Sequence, residues 1–92
     1  MFEWDDAKNR ADRKKHGVSF EDVVPSFAGP MFVAADDRGY REARYVAIGF
    51  LEDVPVVVVY AERCERIRII SARKADRHER QRFKEFLDQL GR

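Results

Sequence analysis

Arginines at positions 66, 68 and 73, following a carboxylate at Glu62, are the residues of this chain whose types and spacing can do chemistry. Arg66-Ile67-Arg68-Ile69 alternates charged and apolar residues, the period-2 pattern of a strand with one buried and one open face. A three-residue turn at Arg63–Glu65 would pair Ala61 with Ile67 and Val59 with Ile69 on one face. Glu62 would then lie opposite Arg66, and Tyr60 opposite Arg68, on the other. Two arginines, a carboxylate and a phenol suit metal-free cleavage of RNA. There the 2′-hydroxyl attacks the neighbouring phosphorus and needs a base, an acid for the leaving oxygen and cations for the developing charge. Arginine serves the last need because its planar fork binds two phosphate oxygens at once. The same Glu62 and Arg66 also read as an ordinary cross-strand ion pair, worth about 0.2–1 kcal/mol.

A second basic group, Arg73, Lys74, Arg77 and Arg80, surrounds the start of the last helix. Cations there oppose the helix dipole, so the cluster is either a solvated helix start or a phosphate-binding feature. His16 precedes Gly17 at a helix end, where an imidazolium is stabilised by the dipole. His78 reads as exposed, and Cys64 as an exposed thiol in a turn. One cysteine and two widely spaced histidines make neither an internal disulfide nor a clustered zinc site, so no metal or cofactor is expected.

These residues must be positioned by a single unit, since 92 residues leave no room for two cores. The chain is 38% charged and 45% hydrophobic. Its longest apolar run, Val54–Tyr60, is far short of the roughly 18 residues that span a bilayer. The N-terminus lacks the basic and apolar regions of a secretory signal, so a cytoplasmic protein is expected. Net charge is +1, but eight basic against four acidic residues between Glu62 and Arg82 leave that segment at +4 and the remainder at −3.

Phe2–Trp4 reads as a short strand. Asp5 or Asp6 caps a first helix that Gly17 stops, and Ser19-Phe20-Glu21-Asp22 opens a second helix, short or kinked at Pro25. Met31–Ala35, Arg44–Leu51, Val56–Tyr60 and Arg66–Ile69 read as strands, the β-branched third one central. Asp76 with Glu79 caps a last helix whose apolar stripe is Phe83, Phe86, Leu87 and Leu90, ended by Gly91. Trp4, Phe20 and Phe27 read as core. The order is β-α-α, a four-stranded antiparallel meander and a terminal helix, an α+β domain over 1–92.

Phe2-Glu3-Trp4-Asp5 with Lys8-Asn9, then Lys15-His16-Gly17-Val18-Ser19-Phe20-Glu21, then Arg66 to Ala75 with Glu79-Arg80, resemble the BrnT toxin family. The resemblance implies a RelE-like fold, a small antiparallel sheet packed against two N-terminal helices and a C-terminal helix. It implies a type II toxin, an endoribonuclease that stops translation and is neutralised by a BrnA-type antitoxin with a ribbon-helix-helix part. It also implies a toxin dimer in a two-plus-two complex, touching operator DNA only through the antitoxin. Carried onto this chain, the resemblance places Arg66, Arg68 and Arg73 near the RNA and picks out Lys15, His16 and Gly17. Many relatives carry an aromatic hydroxyl in the last helix where this chain has Phe83. On this reading Arg66, Arg68 and Arg73 stabilise phosphate charge, Glu62 or Lys15 is the base, and His16 or Arg80 the acid. The alternative is a non-catalytic interaction module, a degenerate toxin or co-repressor subunit, that binds an antitoxin through the same basic face.

Overall fold

The computed structural model describes residues 1–39 and 41–91. In chain order the elements are β1 (Phe2–Trp4), α1 (Asp6–His16), α2 (Phe20–Val23), a 3₁₀ segment (Val24–Ala28), β2 (Phe32–Asp36), β3 (Arg44–Leu51), β4 (Val54–Arg63), β5 (Arg66–Lys74) and α3 (Arg77–Leu90). The strands form one sheet in the order β1-β5-β4-β3-β2, in which β2 to β5 are an antiparallel meander and β1 lies parallel to β5. This is the expected α+β architecture. β4 is central, and its Val56, Val57 and Val58 are fully buried because helices cover both faces. Each such valine contributes on the order of 1.5–3 kcal/mol relative to exposure.

One core lies between the sheet and the N-terminal helices, where Val18, Phe20 and Val23 meet Ala47, Val56, Val58, Tyr60, Ile69 and Ala72. α1 itself docks by polar rather than apolar side chains. Its buried residues are Asn9 and Asp12. Asn9 accepts a hydrogen bond from the Phe20 backbone N–H (2.8 Å) and donates to Glu21 (2.5 Å). Asp12 accepts from the Ala72 N–H of β5 (3.1 Å) and pairs with Lys8 (2.6 Å). Asp5 caps the helix start, and Gly17, at φ 74°, ends it in the left-handed conformation that glycine takes without strain. Ser19 caps α2, and at Pro25 the short helix gives way to the 3₁₀ segment.

The second core lies under α3, where Phe83 and Ala75 bury against Ile48 and Val57, with Phe32, Phe50, Phe86 and Leu87 around them. Asp76 and Glu79 form the reciprocal capping box expected from their spacing. Leu90 departs from the expected stripe: it is 60% exposed, at the far end of the helix.

The β4–β5 hairpin differs from expectation in its turn and register. The connection has two residues, Cys64 (φ 49°) and Glu65 (φ 68°), both left-handed, as the strand twist favours in a tight hairpin. Tyr60 therefore pairs with Ile69, Ala61 with Arg68, Glu62 with Ile67 and Arg63 with Arg66. Between Val59 and Tyr60 the register shifts, leaving Ile70 as an extra residue on β5. The bulge changes the strand's phase, so Ile67, Ile69 and Ala72 all enter the first core. β5 also runs on through Arg73 and Lys74 instead of stopping at Ile69, so these two cations belong to a strand and not to the helix start.

Candidate active site

α3 covers only part of its face of the sheet. Pairing across the strands places Asp36, Arg44, Ala61, Arg68 and Glu3 in one row over five strands, on the same face as the Ile48–Val57 pair beneath α3. The Arg63–Arg66 pair follows at the end of the hairpin. Ala61 is fully buried between the long side chains of Arg44 and Arg68, so a small residue at the centre of the row lets two guanidinium groups approach from either side. Arg63 and Arg66 are exposed, Arg44 and Arg68 half-buried.

Among these arginines lies Glu42, supplied by the segment between β2 and β3. Its Oε2 accepts from both Nε (3.1 Å) and Nη2 of Arg63, and its Oε1 is 3.9 Å from Nη2 of Arg44. The Arg63 hydrogen bond, followed by the charges of Arg63, Arg44 and Arg68, holds the Glu42 carboxyl below its usual range against the opposing effect of desolvation. Asp36, at one end of the row, is likewise held low by its hydrogen bonds from Arg38, at 2.8 and 2.7 Å. An open cleft lined by Gly39, Arg41, Glu42, Arg44 and Arg63 leads to this cluster.

The second basic group assembles where β5 meets α3. Arg73 grips Glu79 through two parallel bonds, 2.7 and 2.8 Å, and Glu79 also accepts from the Asp76 N–H at 2.8 Å. That pairing raises the Arg73 guanidinium and lowers the Glu79 carboxyl. Arg80 donates to the Ala75 carbonyl at 2.9 Å. Lys74 and Arg77 are exposed, the latter beside His78 and Gln81. Arg73 and Arg80 thus fasten the helix to the strand.

Arg66 and Arg68 share the open face as expected. Glu62 does not join them: its cross-strand partner is Ile67, which packs toward the N-terminal helices, so the two-residue turn sends Glu62 to the opposite face. Lys15 and His16 end α1, which starts beside Trp4 and has reached Ala72 of β5 by Asp12, so its last turn lies away from the Arg63–Arg66 end. Lys15 is exposed and His16 half-buried. Phe83 is a core residue, 1% exposed, against Phe50 and Phe86. Sequence reasoning missed Arg44, Arg63 and Glu42. The Arg41-Glu42-Ala43-Arg44 run, placing charge at the entry to a strand, was the available signal.

A cleft between α2, the 3₁₀ segment and the β3–β4 turn has Glu21, Asp22 and Glu52 among its lining residues. Its negative charge repels phosphate, so the arginine row is the better nucleic-acid surface.

A family described as "Ribonuclease toxin, BrnT, of type II toxin-antitoxin system" matches residues 4–79, most of the chain. The chain belongs to the BrnT family. No curated protein matches it. Several residues behind the BrnT resemblance are structural braces: Lys8 pairs with Asp12, Asn9 ties α1 to Phe20 and Glu21, and Ser19 caps α2. As a BrnT ribonuclease toxin of a type II system, the protein acts with a cognate antitoxin. No helix among the described residues is long and apolar enough to cross a membrane.

Proposed function

We propose that this BrnT toxin is an endoribonuclease that inhibits translation by cleaving RNA without a metal, its positive charge coming from the arginine row. The observation that carries the reading is the meeting of Arg44, Arg63, Arg66 and Arg68 on the part of the sheet face that α3 leaves open. A phosphate drawn onto this surface meets bidentate donors on neighbouring strands, and their cationic forks stabilise the dianionic phosphorane. Attack of the 2′-oxygen forms a new bond to phosphorus as the bond to the 5′-oxygen breaks. The products are a 2′,3′-cyclic phosphate and a free 5′-hydroxyl. Of the second basic group, Arg73 and Arg80 are committed to the β5–α3 junction, and the exposed Lys74 and Arg77 there form the alternative phosphate track, apart from the row.

The cognate antitoxin, on this reading, is of the BrnA type with a ribbon-helix-helix part, and operator DNA is reached only through it, with two toxins in the complex. The test is induction of the wild-type chain and an Arg66→Ala/Arg68→Ala variant in cells lacking the antitoxin. Growth arrest with new RNA 5′ ends for the wild type alone supports the reading. Unimpaired growth with folded wild-type protein refutes it and favours a non-catalytic antitoxin-binding module.

A further inference from the structure

RNA cleavage by the 2′-hydroxyl needs a proton acceptor on one side of the scissile phosphate while cations hold its non-bridging oxygens. The carboxylates near the row differ in what holds them. Both Asp36 oxygens are bound by Arg38. Glu3 lies beyond Arg68 on the outer strand. Glu62 is on the other face. Glu42 alone of these has one oxygen on Arg63 and the other within ion-pair range of Arg44, and it also lies in the field of Arg68. It thus bridges side chains from two adjacent strands, β3 and β4, the guanidinium groups that a bound phosphate would engage.

We propose that Glu42 is the general base of the cleavage reaction, taking the proton of the attacking 2′-hydroxyl once a substrate phosphate has displaced it from Arg63. The inference rests on the ribonuclease reading above and names the base it lacks. In the free protein the carboxylate occupies the position of an anion on Arg63. An incoming phosphate competes for the same guanidinium, and the released carboxylate is left next to the sugar whose phosphate has replaced it. The 2′-hydroxyl proton passes to a Glu42 oxygen as the 2′-oxygen bonds to phosphorus. The 5′-oxygen leaves with a proton from water, and protonated Glu42 returns its own to solvent.

Release from Arg63 also changes the basicity of Glu42. In the free protein the Arg63 hydrogen bond, and then the charges of Arg63, Arg44 and Arg68, keep its carboxyl low. A phosphate that takes over these partners removes the first and offsets the others, so the acid limb of kcat should lie at higher pH than that of kcat/KM, which reports the free enzyme.

The test compares wild type, Glu42→Gln, Glu42→Asp and Glu52→Gln, each freed of antitoxin, on a short RNA. Binding is read separately with the same sequence bearing 2′-deoxyribose, and folding by circular dichroism. Glu42→Gln is expected to bind as tightly as wild type or tighter, yet to lose about 10²- to 10⁴-fold in kcat together with the acid limb. Glu42→Asp should keep that limb, and Glu52→Gln, an exposed carboxylate of the β3–β4 turn outside the row, should cleave normally. A folded Glu42→Gln that cleaves within a few-fold of wild type with an unchanged acid limb overturns the proposal and leaves the ribonuclease reading standing. A wild type that cleaves nothing overturns both.

Discussion

If the arginine row is the RNA surface, binding must carry its electrostatic signature. Each phosphate of a single strand that a cation neutralises adds about 0.7 to the slope of log affinity against log salt. One phosphate for each of Arg44, Arg63, Arg66 and Arg68 gives a slope of about −2.8. Raising salt from 50 to 200 mM should then weaken binding by about 50-fold. In Arg66→Ala/Arg68→Ala two of the four cations are gone, the slope falls to about −1.4, and the same salt step costs about 7-fold. Fluorescence anisotropy with a labelled 2′-deoxy oligonucleotide avoids turnover and measures both. Lys74→Ala/Arg77→Ala supplies the comparison, because those exposed cations belong to the β5–α3 junction and not to the row. A slope unchanged by the Arg66/Arg68 substitutions but halved by the Lys74/Arg77 pair would refute the assignment and move the RNA track to the junction.

Two further predictions concern what holds the site in place. Asp12→Ala leaves the buried Ala72 N–H without an acceptor and removes the Lys8 pair, for a loss of about 2 kcal/mol, or roughly 8–16 °C in melting temperature. A thermal melt no lower than that of Lys8→Ala would show that the Ala72 bond contributes nothing. The Glu79 carboxyl is depressed in the folded state, chiefly by the Arg73 hydrogen bond, so its stabilisation is present above its ordinary value of 4.5 and disappears as pH falls below it. With Arg73 41% exposed, solvent screening limits this to about 1 kcal/mol. In urea titrations the gap between wild type and Glu79→Gln should therefore narrow as pH falls from 7 to 3, and an equal gap at both would count against the pairing.

Elements whose local signals agree with their tertiary setting were legible in the sequence. β3 runs over Arg44–Leu51 as the β-rich composition predicts, and Asp76, Glu79 and Gly91 bracket α3. The turn at Cys64–Glu65 was not legible, because neither residue is the glycine or asparagine that usually advertises two left-handed positions. That single difference moved Glu62 off the arginine face. The bulge at Ile70 hid the continuation of β5, since a phase change looks like the end of an alternating pattern. α1 gave no apolar stripe to read, for Asn9 and Asp12 make its inner contacts by hydrogen bonds. Glu42 was illegible for another reason: it meets Arg63 from 21 positions away, and only the meander brings the two together.

The turn itself supplies a spectroscopic handle. Its first residue is the chain's one cysteine, exposed, with Arg63 immediately before it and Arg66 paired across the hairpin. A thiol-reactive fluorophore attached there needs no engineered residue and disturbs no core side chain. Its emission would register arrival of RNA or antitoxin at the arginine end as it happens, so occupancy and cleavage can be timed in the same cuvette.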